Sequence, residues 1–502
     1  MRPQRARLSA LTAILTRSSF QRSFCFCQWR RSRLRTALLS ALAAILAIAG
    51  SGLAAGAADA SHDQTTFFEA PAELLDPATR QGAIQQLQYL GVNAIRVDMS
   101  WGSVAPSPEA RNQPSFQAGS PGSYDWGEYG ELIEEAHSLH WQVLLTVGGP
   151  APRWATSNGK APYVTRPNPH DFEQFMSAVA RRFGGEVSLF AIWNEPNEFG
   201  ELQPQFARNG EPVAGRIYRG LFQAGYEGLK DGGLRNPKVL MGETAPGGFA
   251  VRGKKVPSYA GVAPITFLQN ALCLNSKYVK NPHCGTLPAF GYAQHPYVTN
   301  TMGPFFVPKN PNNVTIGSLG RLVTALNRAG KAHAVRPSLP IFLTEFGVMS
   351  KPNRYFGVSW GKQAEWDAIA ERIAWEHARV YAFSQYLLED DPLSKTGAVS
   401  FQTGLETASG VKKPLYFGFP VPLTVTRTKH GYALWGFVRP AHKVTEVTIL
   451  VQRSKHAPYT RLAVVKTGSL GYWQLHSNVN GRFWRVRWIS PSGVRYEGPP
   501  IK

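Results

Sequence analysis

Cysteine is scarce in this chain, with four residues among 502. Cys25 and Cys27 sit in a basic leader, so Cys273 and Cys284 are the only pair in the remainder. So few thiols exclude a disulfide-stapled miniature fold and a cysteine-rich metal cluster. Only His283 lies within ligand spacing of that pair, so no metal is expected there. In an exported protein the default reading is a Cys273–Cys284 disulfide, with two free thiols as the alternative. Other signatures are missing too. There is no His-Glu-x-x-His, no phosphate loop, no glycine-rich dinucleotide turn after a strand and no nucleophile elbow. No metal or cofactor is therefore expected, although spacing alone leaves Ser-His-Asp chemistry open. No internal repeat or low-complexity tract follows residue 60.

Acidic residues also run short, with 33 Asp and Glu against 54 Lys and Arg for a net charge of +21. The surplus sits at the two ends. Residues 1–60 carry nine Arg and one Asp, and residues 421–502 carry thirteen Lys/Arg against two Glu. What lies between is nearly neutral, so its substrate need not be polyanionic. At the N-terminus, Arg30, Arg31, Arg33 and Arg35 precede the apolar run Thr36–Gly50 and the small-residue exit Ala58-Asp59-Ala60. That is the plan of a signal peptide cut near Ala60. The run is shorter than the ~20 residues of a membrane span. A secreted or envelope-associated protein with no stable span after processing is expected, with an uncleaved anchor as the alternative. Export also separates the chain from nucleic acid as a partner.

What is present is globular material: 43% hydrophobic and 12% aromatic residues, too rich for disorder. The length suffices for a large core and a satellite domain. Eight β-rich runs alternate with amphipathic stretches: Thr66–Phe68, Asn93–Met99, Trp141–Val147, Leu189–Trp193, Val239–Gly242, Phe290–His295, Ile341–Thr344 and Val380–Leu388. Near-continuous apolar strands separated by helices predict a parallel sheet covered on its outside. Asp171–Phe183 shows helical spacing of Phe172, Phe175, Met176, Val179, Ala180 and Phe183, with Asp171 as the cap. Ala364–Ala382 is a second long helical candidate. Beyond Pro414–Pro422 the pattern changes to alternating runs, Tyr432–Val438, Val444–Val451, Arg461–Val465 and Phe483–Ile489. These predict an α/β chain of three parts: a leader (1–60), a (β/α)8 TIM barrel (61–418) and a small C-terminal β-sandwich (419–502). The long loops 103–123 and 246–264 are expected to frame a cleft.

Two segments carry the chemistry, Ile192-Trp193-Asn194-Glu195-Pro196-Asn197 and Leu343-Thr344-Glu345-Phe346-Gly347. Each sets a glutamate at the end of an apolar strand, three strand–helix units apart. A barrel brings such strand ends to one face, and retaining glycoside hydrolysis requires two carboxyl groups about 5–5.5 Å apart. Structural readings remain beside this one, a turn glutamate before Pro196 and a paired glutamate at position 345. Glu243 in Gly242-Glu243-Thr244 is a rival carboxylate that lines the site, pairs with a base or serves as nucleophile.

These motifs resemble retaining glycoside hydrolases of the barrel clan with catalytic glutamates after strands four and seven, the cellulase-like and β-xylosidase/iduronidase-like families. The likeness covers residues 66–400 as organisation and a few short stretches as motif. It implies Glu195 as acid/base, Asn194 as a partner of the sugar 2-hydroxyl, and Glu345 as nucleophile. It also implies that Arg96 orients the nucleophile, that Tyr297 of His295-Pro296-Tyr297 touches it, and that His295 contacts substrate or acid/base. Arg96 could otherwise turn to solvent, and His295 and Tyr297 could be satisfied core residues. Trp101 and Trp154 are equally readable as sugar platforms or loop packing. Relatives place a Trp at the end of strand eight; Gln385-Tyr386-Leu387-Leu388 has none, and Tyr386 is the substitute. The implied partner is an oligo- or polysaccharide. Trp435, Trp473, Trp484 and Trp488 among many Arg suggest glycan or cell-wall contact by the basic domain, or a plain buttress. A glycan-binding barrel without turnover and a transglycosylase are the competing functions.

Overall fold

The computed structural model describes residues 64–249, 256–298, 301–393 and 400–502. The expected signal peptide and its cleavage point near Ala60 lie outside the described residues, as does the stretch 250–255 of the second long loop. Among the described residues no helix is long and apolar enough to cross a membrane.

The eight expected strands form one parallel sheet: β1 (Phe68–Glu69), β2 (Ala94–Ser100), β3 (Gln142–Gly148), β4 (Leu189–Ile192), β5 (Val239–Thr244), β6 (Gly291–Gln294), β7 (Ile341–Leu343) and β8 (Val380–Phe383). Each pairs with the next in sequence. After Ser384 the last strand continues as β9 (Gln385–Tyr386), which pairs with β1 and closes the cylinder. Both faces of these strands are buried, which is why their sequences read as unbroken apolar runs. In β2, Ile95, Val97 and Met99 face the surrounding helices, so the alternate residues Ala94, Arg96 and Asp98 face the axis. Ala94, Leu144, Ala191, Leu240, Ala293, Phe342 and Ala382 fill the interior. Above that apolar layer the inward positions turn polar.

The helix expected at Asp171–Phe183 spans Pro169–Phe183. Its cap is Asn168, whose side chain accepts the His170 N–H, and not Asp171, because Pro169 takes the first helical position. This helix packs closely on helix Ala214–Asp231, and a Cβ on Gly228 would sit 2.2 Å from the Glu173 carbonyl oxygen. The helix expected at Ala364–Ala382 spans Trp360–Trp375 instead. Its C-terminal part is drawn out straight because Val380, Ala382 and Phe383 must pair with Ile341, Phe342 and Leu343.

Past helix Pro414–Gly418 the chain becomes antiparallel: β10 (Leu423–Thr428), β11 (Gly431–Phe437), β12 (Glu446–Gln452), β13 (Thr460–Lys466), β14 (Tyr472–Ser477), β15 (Phe483–Ile489) and β16 (Arg495–Glu497). They form a three-stranded sheet, β10-β11-β14, and a four-stranded one, β13-β12-β15-β16. Leu423, Leu434 and Trp473 of the first pack against Val447, Ile449, Val451, Trp484, Val486 and Trp488 of the second. The other face of the three-stranded sheet sets Trp435, Phe437 and Tyr472 against Trp375 of the barrel. Arg439 secures that junction through Glu371 (2.9 and 3.0 Å) and lies 4.0 Å from the Phe419 ring. Trp435, Trp473, Trp484 and Trp488 are thus all buried as packing, and none can serve as a glycan platform. Cys273 and Cys284 form a disulfide, with Cα atoms 6.3 Å apart.

Candidate active site

The polar layer opens at the C-terminal ends of the strands, where parallel barrels build their sites. Glu69 ends β1, Arg96 and Asp98 rise from β2, Thr146 from β3, and Glu243 from β5. Asn194 and Glu195 follow β4, His295 and Tyr297 follow β6, and Glu345 follows β7. Several of these ends leave ordinary backbone conformation. Trp193 (φ 67°), Glu195 (φ 37°) and Glu243 (φ 45°) all occupy the left-handed region. Non-glycine residues there cost about 1–3 kcal/mol each and persist only where surroundings hold them. The holding contacts are visible. The Glu195 N–H donates to the Glu243 carbonyl (3.1 Å), and the Trp193 indole donates to the Glu201 carbonyl (2.9 Å). Asn197 accepts the Ala245 N–H and donates to the Val262 carbonyl, while Gln205 gathers the carbonyls of Pro196, Glu198 and Leu202. The second Asn of the Trp-Asn-Glu-Pro-Asn segment is therefore a staple between two loops.

Arg96 is the hub. Its guanidinium reaches Glu243 at 2.9 and 3.1 Å, Glu345 at 3.2 Å, Asn194 Oδ1 at 2.8 Å and Thr146 Oγ1 at 3.1 Å, and it pairs with Glu69. An inward arginine is tolerated because every direction meets an acceptor. Glu345 also accepts the Tyr297 hydroxyl (2.8 Å). His295 Nδ1 lies 3.0 Å from Glu195 Oε1 and 3.5 Å from Glu345 Oε2, and Nε2 lies 3.1 Å from Thr344 Oγ1. One side-chain atom from each of Glu195, His295 and Glu345 falls within 4.8 Å of the other two. Glu345 is the more enclosed of the two glutamates, its side chain 10% exposed against 24% for Glu195.

Burial dominates the electrostatics. It pushes the Glu69 carboxyl up to about 8, against the pull of Arg96. It also raises Asp98 to about 6, and Glu198 and Glu201 to about 8, where the Glu195 charge adds to the effect on the last two. Glu243 is likewise buried, yet Arg96 and His295 hold its carboxyl below the usual range. Burial works against a charge on His295, but Glu345 and Glu195 outweigh it and lift the imidazole to about 9. A metal does not suit the Glu195–His295–Glu345 triangle. Arg96 stands 3.2 Å from Glu345, so an ion there would face its positive charge.

The structure brings Arg96, Asn194, Glu195, His295, Tyr297 and Glu345 together. Tyr386 joins them at the rim, edge-on to Phe401, and its hydroxyl is pushed upward by burial, then by Glu345 and Glu69. Trp101 does not join. It is fully buried, stacked on Phe175 and edge-on to Trp154, because the backbone turns into a short helix at that residue. Trp154 is packed between Trp101 and Phe116, with its indole bonded to the Pro106 carbonyl. Trp101 is loop packing, while Trp154 packs on one side and stays half-buried. Glu243 is Arg96's partner. Glu69 and Asp98 were not singled out from sequence, though each carries a signal: Glu69 ends an apolar strand as Glu345 does, and Asp98 shares the face of Arg96. Glu198 and Glu201 lie in an irregular loop and carry none.

No family model matches the chain, and no curated protein sequence does. Solved structures do. A family 39 glycoside hydrolase from the gut symbiont Bacteroides cellulosilyticus WH2 superposes with a TM-score of 0.52 at 15% identity, over 83% of this chain and 81% of that one. A glucosidase from Croceicoccus marinus gives 0.48 at 12% identity, over 82% and 83% of the two chains. The family 39 enzyme from Xanthomonas axonopodis pv. citri gives 0.47 at 15%, over 83% and 93%. The first likeness establishes the fold, a (β/α)8 barrel of the kind found in a family 39 glycoside hydrolase.

Proposed function

We propose that this protein is an exported retaining glycoside hydrolase acting on a neutral glycan. The observation that carries the reading is that one carboxyl oxygen of Glu195 and one of Glu345 lie within 4.8 Å of each other, in unequal surroundings. That spacing suits double displacement, whereas inversion leaves about 6.5–9.5 Å for a water. Glu345 receives donors from Tyr297 and Arg96, which aim it as the nucleophile. It attacks the anomeric carbon and forms a glycosyl ester. The more exposed Glu195 gives its proton to the departing oxygen. In the second step Glu195 takes a proton from water, whose oxygen displaces Glu345. Glu195 shares a hydrogen bond with His295, which holds the carboxyl that delivers the proton. Asn194, fixed by Arg96, is in place to meet the sugar 2-hydroxyl. Export is supported by the leader sequence and by the Cys273–Cys284 disulfide. A barrel that only binds glycan has no use for strained backbone beneath a pair of opposed carboxyls.

Azide rescue tests the assignment. Glu345→Ala should lower turnover of aryl glycosides by about 10⁴-fold or more, with azide restoring it through the inverted glycosyl azide. Glu195→Ala should spare substrates with good leaving groups, and azide there should give the retained product. Wild-type rates in both variants sink the reading.

A further inference from the structure

The layering of the C-terminal domain leaves one large face unaccounted for. The three-stranded sheet is covered by the barrel on one side and by the four-stranded sheet on the other. The four-stranded sheet buries its inner residues, so the alternate residues of the same strands point outward, away from the barrel. Strand register sets them in rows: Lys466 opposite Glu446, Val464 opposite Thr448 and Arg487, and Arg461 opposite Leu450 and Arg485. Across the last pair of strands Arg487 faces Glu497 and Ile489 faces Arg495. This face therefore holds five cations and two carboxylates, and Glu446 and Glu497 are the only acidic residues in 421–502.

One of those carboxylates gathers cations instead of cancelling them. Arg485 and Arg487 reach Glu497 at 2.9 and 2.8 Å, Arg495 reaches it as well, and the three guanidiniums, working against its burial, hold its carboxyl at about 2. A single negative charge leaves two of the three positive charges unbalanced, and each planar fork keeps N–H donors to spare. Arg461 and Lys466 stand exposed on the edge strand, with no carboxylate within ion-pair distance among the described residues. The face also exposes aliphatic Val464 and Ile489, its two rings are already engaged by arginines (Tyr459 by Arg485, Phe483 by Arg482), and the domain's tryptophans all point inward, which leaves no free stacking platform for bases.

We propose that the outer face of the β13-β12-β15-β16 sheet docks a uronate-bearing polysaccharide, through arginine–carboxylate forks at Arg461, Arg485, Arg487 and Arg495. The proposal rests on the glycosidase reading for its class of partner. The anchoring polymer is distinct from the substrate, which meets Glu195 and Glu345 at the barrel mouth and not this outer sheet face. Domain and barrel then divide the work, one holding the enzyme on an acidic matrix while the other cleaves neutral chains within it.

Binding of the full chain to polygalacturonate, neutral dextran and single-stranded DNA of matched charge, at low and high salt, tests this. Salt-sensitive binding to polygalacturonate and none to dextran is expected. Arg461→Glu with Lys466→Glu should weaken that binding by about tenfold or more and leave aryl glycoside turnover unchanged. Arg427→Glu with Lys429→Glu, on the other sheet, should change it far less. No binding to polygalacturonate, equal losses in the two double variants, or tighter binding of DNA through Arg461 and Lys466 overturns the proposal. Polygalacturonate binding that depends on Arg461 and Lys466, without turnover of any glycoside, upholds the docking face and overturns the glycosidase reading instead.

Discussion

Two arginines lie buried in this molecule in opposite circumstances. Arg439, at the junction of barrel and sandwich, meets Glu371 face to face and is sandwiched by the Phe419 and Phe437 rings. Glu371 is its one ion-pair partner among the described residues. Arg96, at the barrel mouth, is shared among Glu69, Glu243 and Glu345, with Asn194 and Thr146 besides. There carboxylates outnumber the cation and neighbouring strand ends are strained. A matched pair closes a structure. An over-subscribed cation leaves charge on groups that face a cleft, and that is where chemistry is done.

Substituting each arginine by methionine breaks or sharpens this contrast most strongly. Arg96→Met and Arg439→Met should each cost about 3–5 kcal/mol in urea unfolding, because each strands a buried carboxylate. Only Arg96→Met should also lower turnover of folded enzyme, by about 10²–10³-fold. Equal activity loss in both would erase the distinction. The next largest effect concerns His295. With its imidazole lifted to about 9, His295 keeps its proton through neutral pH and releases it as pH rises through that value. Activity should therefore fall on the alkaline side near pH 9. His295→Asn should cut turnover by about 10²-fold and remove that alkaline limb; a pH–rate profile with an unmoved limb counts against His295 as its source. The smallest effect is at Glu69. Its carboxyl is raised in the folded state from 4.5 to about 8, so the unfolded chain releases that proton first. Stability should then decline between about pH 4.5 and 8 on account of this group, and Glu69→Gln should flatten that decline, as thermal unfolding across the range would show.

Much of the architecture was legible beforehand. Strand positions could be read because β-strands buried on both faces give unmistakable apolar runs, and the two opposed glutamates sit where such runs stop. Strands β10, β14 and β16 leave a fainter mark on the sequence, since short half-exposed strands alternate weakly. The first strand reads as ending at Phe68, one residue short of Glu69, and so a buried member of the Arg96 cluster was passed over. Trp101 and Trp154 illustrate the converse. Their place after strand ends suggested a cleft wall, but side-chain direction there is governed by the local turn, and both fold back onto Phe175 and Phe116.

The order of residues alone was enough to specify a barrel with a β-rich appendage, and to set Glu195 and Glu345 on strand ends, because burial and period leave local marks. Which carboxyl meets which cation was decided only when the cylinder closed. Arg96 and Glu345 are 249 positions apart, and His295 and Glu195 are 100 apart. Contacts of that range depend on strand register and tilt, which no local stretch of the chain encodes.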